Sequence, residues 1–196
     1  MKLGPIVIAA LLAAACGASS SSTTVTRSTT TTVTTTVTRP AATATSTTTK
    51  AAGAGRCVAS DLALSALGQQ GAMGHGELGF ALRNTSADPC RTGGYPGVLF
   101  LDHRGRPLPT VPTRATRDFF GTAPELAITL APGQSASFRL GVTHEAQGNA
   151  TCTTAAGLQV IAPNDTATLH TTIPNGAYEC QTVTVSPLRP GRSAYP

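Results

Sequence analysis

Tryptophan is absent from the 196 residues, and other aromatics are scarce, with five Phe and three Tyr. That excludes a core built on the buried Trp of antibody-type domains and removes the indole platforms on which sugar rings stack. Charge is thin as well: Asp, Glu, Lys and Arg make up 12% of the chain. The net charge is +5, but Lys2, Arg27, Arg39, Lys50 and Arg56 carry the whole excess. From Cys57 onward arginines and acids balance. Phosphate backbones are held by a local surplus of Lys and Arg, so no nucleic-acid partner is expected. No apolar run reaches the roughly 20 residues that a membrane-spanning helix needs.

Motifs that carry chemistry are missing too. The chain has no Cys-x-x-Cys or His-x-x-x-His spacing, no Gly-x-Ser-x-Gly elbow and no His-Glu-x-x-His. These are the spacings that place metal ligands, or a nucleophile and its base, on one element. His75, His103, His144 and His170 are scattered, and Ser and Thr are too abundant for any one of them to mark a nucleophile. No metal, no cofactor and no catalytic residue are expected, and the chain reads as a non-enzyme.

What is present begins with Cys16. Lys2 supplies a positive start, Leu3 to Ala15 an apolar run, and Leu12-Ala13-Ala14-Ala15-Cys16 a small-residue cleavage site ending in a thiol. Residues 1–15 therefore read as a lipoprotein signal peptide. Cys16 is the expected lipid anchor, carrying diacylglyceryl and a further acyl chain such as palmitate, because one chain alone binds a bilayer only marginally. The expected address is extracytoplasmic, on the outer face of the cell membrane. Residues 16–56 are more than half Ser and Thr up to Gly55, with no acid and no aromatic. Such a segment cannot bury enough apolar surface to offset the entropy of ordering it, and is expected to be a disordered tether. Fully extended it would reach roughly 130 Å.

Beyond Cys16 four cysteines remain, an even number in a chain expected to be exported, where disulfides persist. Of the three pairings, Cys57–Cys90 and Cys152–Cys180 are favoured, since each closes a loop of about 30 residues within one half of the domain.

Residues 57–187 read as all-β. Alternation runs through Leu62 to Leu67, Leu78 to Leu82, Leu126 to Leu130 and Phe138 to Val142. Further strands are expected at Val98 to Leu101, Leu158 to Ile161, Ala167 to His170 and Thr182 to Val185. Turn residues such as Ala131-Pro132-Gly133 separate them. Seven or eight short strands at this spacing predict an immunoglobulin-like two-sheet sandwich, with Phe80, Phe100 and Phe138 at its centre. Residues 188–196 are expected to be a disordered tail.

The long connection from Asp102 to Pro124 is the place to look for recognition. Arg104, Arg106, Arg114, Arg117, Phe119 and Phe120 form a candidate interaction loop. Either they make a cationic and aromatic patch for an acidic partner, or the rings plug the end of the sandwich while the arginines pair with Asp102 and Asp118.

Several blocks carry a resemblance. Cys57, Gly74-His75 and Leu82-Arg83-Asn84-Thr85-Ser86 lead to Cys90 and Gly94-Tyr95-Pro96-Gly97-Val98. Leu101-Asp102-His103-Arg104-Gly105-Arg106-Pro107-Leu108 follows, then Leu130-Ala131-Pro132-Gly133-Gln134-Ser135-Ala136, Cys152, Cys180 and Val185-Ser186-Pro187. The chain resembles the actinobacterial exported family numbered 4232 among the domains of unknown function. The resemblance implies an exported β-sandwich, often tethered to the envelope, in high-GC bacteria; it implies no activity.

Together these readings point to a non-catalytic cell-envelope lipoprotein displaying an interaction or adhesion module outside the membrane. Its expected partners are the membrane, through the lipid, and an envelope protein or glycan. The alternative is an extracytoplasmic binding protein for a small ligand or cell-wall glycan.

Overall fold

Leu78, Phe80 and Leu82 fall on one side of a strand by period-two alternation, and the strand that carries them is the spine of the computed structural model. The structure describes residues 53–194 with the exception of Phe120. The expected signal peptide, Cys16 and the tether as far as residue 52 lie outside the described residues, as do residues 195 and 196. In chain order the strands are β1 (Gly55–Arg56), β2 (Leu62–Ala72), β3 (His75–Asn84), β4 (Cys90–Gly93) and β5 (Gly97–Leu101). Then come β6 (Val111–Arg114), β7 (Arg117–Asp118), β8 (Gly121–Thr122), β9 (Ala127–Leu130) and β10 (Ser135–Thr143). The last are β11 (Thr153–Ile161), β12 (Thr168–Glu179), β13 (Thr182–Val185) and β14 (Arg189–Pro190). No α-helix occurs among the described residues.

The central sheet runs β2-β3-β10-β13-β6, a second runs β12-β11-β5, a third β1-β4-β9, and β7 pairs with β8 alone. The all-β expectation holds, and both cystines form as expected, Cys57 with Cys90 and Cys152 with Cys180. Three sheets contribute to one core: Phe80 and Phe138 from the central sheet, Phe100 and Leu158 from the second, Ile128 and Leu130 from the third. Phe80 and Phe138 are register partners whose rings stack at 5.6 Å. Burying each of the three Phe rings stabilises the fold by about 2–3 kcal/mol relative to exposure.

The other face of β3 and β10 is buried as well. Asp118 and Phe119, from the connection after β6, come over Gly141 on that face. The chain after β13 also packs there. Ser186 N–H donates to Arg139 O, Arg189 pairs with Ser137, and Gly191 N–H donates to Ser135 O. Residues 188–194 are thus not the disordered tail expected. They continue the β13 side of the β10 ladder, with Leu188 in the core and Ala194 buried. Pro190 is tolerated here, where Ser186 and Gly191 supply N–H groups to the β10 carbonyls on either side of it. The boundary of the expected tether also moves, since Gly55–Arg56 is already strand. That pairing is made by backbone groups, which leave no apolar signature in the sequence.

Candidate functional site

The candidate loop does not converge on one surface. At its start, Asp102 Oδ1 accepts the N–H groups of Arg104 and Arg106 at 2.8 and 2.9 Å. Its Oδ2 lies 2.8 Å from Arg106 Nη2. Hydrogen bonds from the Arg106 backbone lead, with the Arg106 side chain and the Arg104 N–H adding, in lowering the Asp102 pKa to about 2. Arg114 sits over the Tyr95 ring at 5.9 Å, while Arg104 and Arg117 are exposed. Phe119 stacks on His75 with ring centroids 3.8 Å apart and is 52% exposed. Phe120 lies outside the described residues. Arg106 does pair with Asp102, as the second reading of the loop expected, but Asp118 takes a different cation.

That cation is Arg139, the largest fully buried side chain among the described residues. Its Nε is 3.2 Å from Glu77 Oε1 and 3.2 Å from Asp118 Oδ2. Glu77 also accepts from Gln70 Nε2 at 2.8 Å. Burial raises the Glu77 pKa, and Gln70 and Arg139 offset part of the rise. The cluster locks the β7–β8 connection onto β3 and β10. Glu77 and Gln70 also line a cleft of about 290 Å³ with His144 and Tyr178, while the contacts of Arg139 itself are buried and read as structural.

The histidines end in separate settings. His75 lies under Phe119, and the His144 ring meets the Tyr178 ring edge-on at 5.8 Å. His103 and His170 line one open groove of about 570 Å³ with Asp102, and His170 Nε2 is 3.1 Å from Gln159 Oε1. No group of three or more His, Cys, Asp or Glu among the described residues is placed to hold a metal ion.

The more developed feature lies on the third sheet. Cys57 and Cys90 point into the core, where they are bonded to each other. Alternation then turns their neighbours Arg56 and Arg91 outward. The parallel pairing of β1 with β4 makes Arg56 and Arg91 direct register partners, and Thr129 of β9 stands opposite Arg91 on the other side. The outer face of this sheet is the floor of an open groove of about 640 Å³. Arg91 Nε donates to Ala54 O at 3.0 Å, which fixes the guanidinium. Gly93 adopts φ +151, and a Cβ there would run into Leu126 O. Only glycine lets β4 and β9 approach this closely.

The rim is polar. Glu125 accepts the Tyr95 O–H; burial, then this hydrogen bond and the Glu125 charge, raise the phenol pKa, against the opposing charge of Arg114. At the other side Asp165 Oδ2 accepts Ala59 N–H at 2.6 Å and Oδ1 accepts Thr166 N–H at 2.7 Å. Those backbone donors, and more weakly the Arg56 charge, hold the Asp165 carboxyl below its usual range. Reading the sequence missed Arg56 and Arg91 as a pair. The signal was the Arg-Cys step at Arg56-Cys57 and the Cys-Arg step at Cys90-Arg91, which turn both arginines outward once the cystine is known.

Fold, cystines and groove define an all-β, doubly stapled domain with two exposed arginines as register partners on its third sheet. The chain belongs to the family described as Domain of unknown function (DUF4232), whose model matches residues 57–195. Arg91 lies inside that match and Arg56 just ahead of it. No curated protein and no solved structure matches the chain.

Proposed function

We propose that the protein is a non-catalytic envelope lipoprotein. In this reading Cys16 carries the lipid, residues 17–54 form the tether, and the domain serves as an interaction module outside the membrane. The observation that carries the reading is the outer face of β1, β4 and β9, where two arginines stand side by side over an open groove. The two cystines support it, because such bonds persist in an oxidising compartment. The apolar run ending at Cys16 supports the lipid anchor.

A second reading, a binding protein for a small ligand or wall glycan, draws on the other groove. There His103, His170, Thr171 and Asp102 offer polar groups around a floor that includes Leu101 and Gly157.

Two experiments on the full chain in its host test these readings. Cys16→Ala should move the protein from the membrane fraction to the soluble one and abolish labelling by an alkyne fatty acid; retention with labelling would overturn the anchor. A photo-crosslinking residue at Thr129 should give defined envelope adducts that one at Thr171 does not. Adducts from Thr171 alone would replace the first reading with the second.

A further inference from the structure

We infer that Arg56 and Arg91 form a binding site for the phosphate of a phosphodiester-linked polymer. This deepens the interaction-module reading and rests on it.

Like charges placed directly opposite on adjacent strands destabilise a sheet. Here the register makes two arginines Cα partners on strands about 4.8 Å apart, with the Arg91 head group reaching to Ala54 O. Neither is within ion-pairing distance of a carboxylate among the described residues. Asp165 is near enough to feel the Arg56 charge, but its oxygens are taken by the N–H groups of Ala59, Thr166 and Ala167. Glu125 is occupied by Tyr95. Two exposed arginines in this relation favour an anion.

An arginine fork takes a carboxylate or a phosphate bidentately; a phosphodiester presents two non-bridging oxygens on a tetrahedral centre, which two arginines on neighbouring strands can share. Arg91 is already oriented by Ala54 O, which leaves its terminal nitrogens to donate. Thr129 adds a hydroxyl on the third strand. Glycines on the floor, Gly55 and Gly93, leave space for a polymer to lie along the sheet. The groove is open, as a linear chain requires; none of its lining residues is aromatic and the ring of Tyr95 at the rim is faced by Arg114, so nucleobases gain little from stacking. The balance of charge along the sequence is not in conflict with this, because the fold concentrates two of the arginines in one place.

The test is a titration of the purified, oxidised full chain with a glycerol-phosphate oligomer. Comparators are a polygalacturonate of equal length, an oligothymidylate and vesicles containing phosphatidylglycerol. Arg56→Gln and Arg91→Gln should each weaken glycerol-phosphate binding at least tenfold and reduce the salt slope by about one. Arg91→Lys, which keeps the charge and loses the planar fork, should lose most of the binding too. Arg104→Gln with Arg117→Gln should change it less than twofold. Arg56 makes no side-chain contact that holds β1, so its variant decides the matter should Arg91→Gln loosen that strand. Oligothymidylate binding with the same arginine dependence supports the site. Tighter binding of polygalacturonate, binding to vesicles alone, or equal loss in the Arg104 and Arg117 variant overturns it. If crosslinks persist at Thr129 while the phosphate polymer is not bound, this inference falls and the interaction-module reading stands. Absence of those crosslinks removes the module reading itself.

Discussion

Arg139 Nε lies 3.2 Å from Asp118 Oδ2, and this contact joins the middle of the central sheet to a loop that the sequence places in the longest connection of the domain. Arg139 meets Glu77 at the same distance, so one buried cation holds two carboxylates. The loop acid expected to pair with arginines of its own loop is committed to the interior instead.

Removing the cation alone should therefore be severe. Arg139→Met takes the buried cation away from Glu77 and Asp118 and is expected to cost about 3–5 kcal/mol in urea unfolding. Combining it with Glu77→Gln and Asp118→Asn should recover most of that loss. An additive triple variant, more unstable than Arg139→Met by the full single costs, would contradict the network.

The two buried glutamates set a pH trend. Burial raises the pKa of Glu77 and of Glu179, the latter opposed only by the Gln181 N–H. Unfolded glutamates titrate near about 4.3, so just above that pH the folded state holds protons that the unfolded state has released. Stability from these groups is present below the unfolded value and is lost as pH rises through the folded one. Asp102, at about 2, and Asp165 act in the opposite sense: their contributions are present above the unfolded aspartate value and fade as pH falls through the folded ones. The thermal midpoint should fall as pH rises from about 4.5 towards neutrality, and should fall again below about 3.5. Glu77→Gln with Glu179→Gln should flatten the upper slope; an unchanged slope would locate its cause elsewhere.

Cys57→Ser with Cys90→Ser opens a loop with a sequence separation of 33. On the chain-entropy model the loss is about 3–4 kcal/mol. Because the same cystine holds Arg56 beside Arg91, phosphate binding at folded temperatures should weaken along with the denaturation midpoint. Cys152→Ser with Cys180→Ser should lower stability by a similar amount and leave binding unchanged, as read by calorimetric titration below both midpoints.

Gly93→Ala drives a methyl group toward Leu126 O from a backbone conformation that L-residues avoid. The expected cost is about 1–3 kcal/mol, with amide shifts confined to β4, β9 and the groove. Arg106→Ala, by contrast, breaks an exposed pair with Asp102 and should cost less than about 1 kcal/mol.

What could be read beforehand follows from what alternation encodes. Thr182–Val185 was bounded correctly, and Phe80, Phe100 and Phe138 were placed in the core, because period two reports which face is apolar. It does not report whether the polar face is later covered. Arg139 alternates outward from Phe138 as any solvent-facing arginine would, and only the chain after β6 and after β13 buries it. β6 and β14 were missed because their pairing is made by backbone groups beside prolines. The Arg56–Arg91 pair depends on a parallel register between residues far apart in sequence, which composition cannot express.

The position of the Cys57–Cys90 bond also determines how the domain answers to force. A pull on the chain from the N-terminal side loads β1 first, whose partnership with β4 is held by hydrogen bonds. Immediately beyond it the load passes through a covalent link into β4 and then into the core. The bond is a covalent stop: load that separates β1 from β4 meets it before it meets the core.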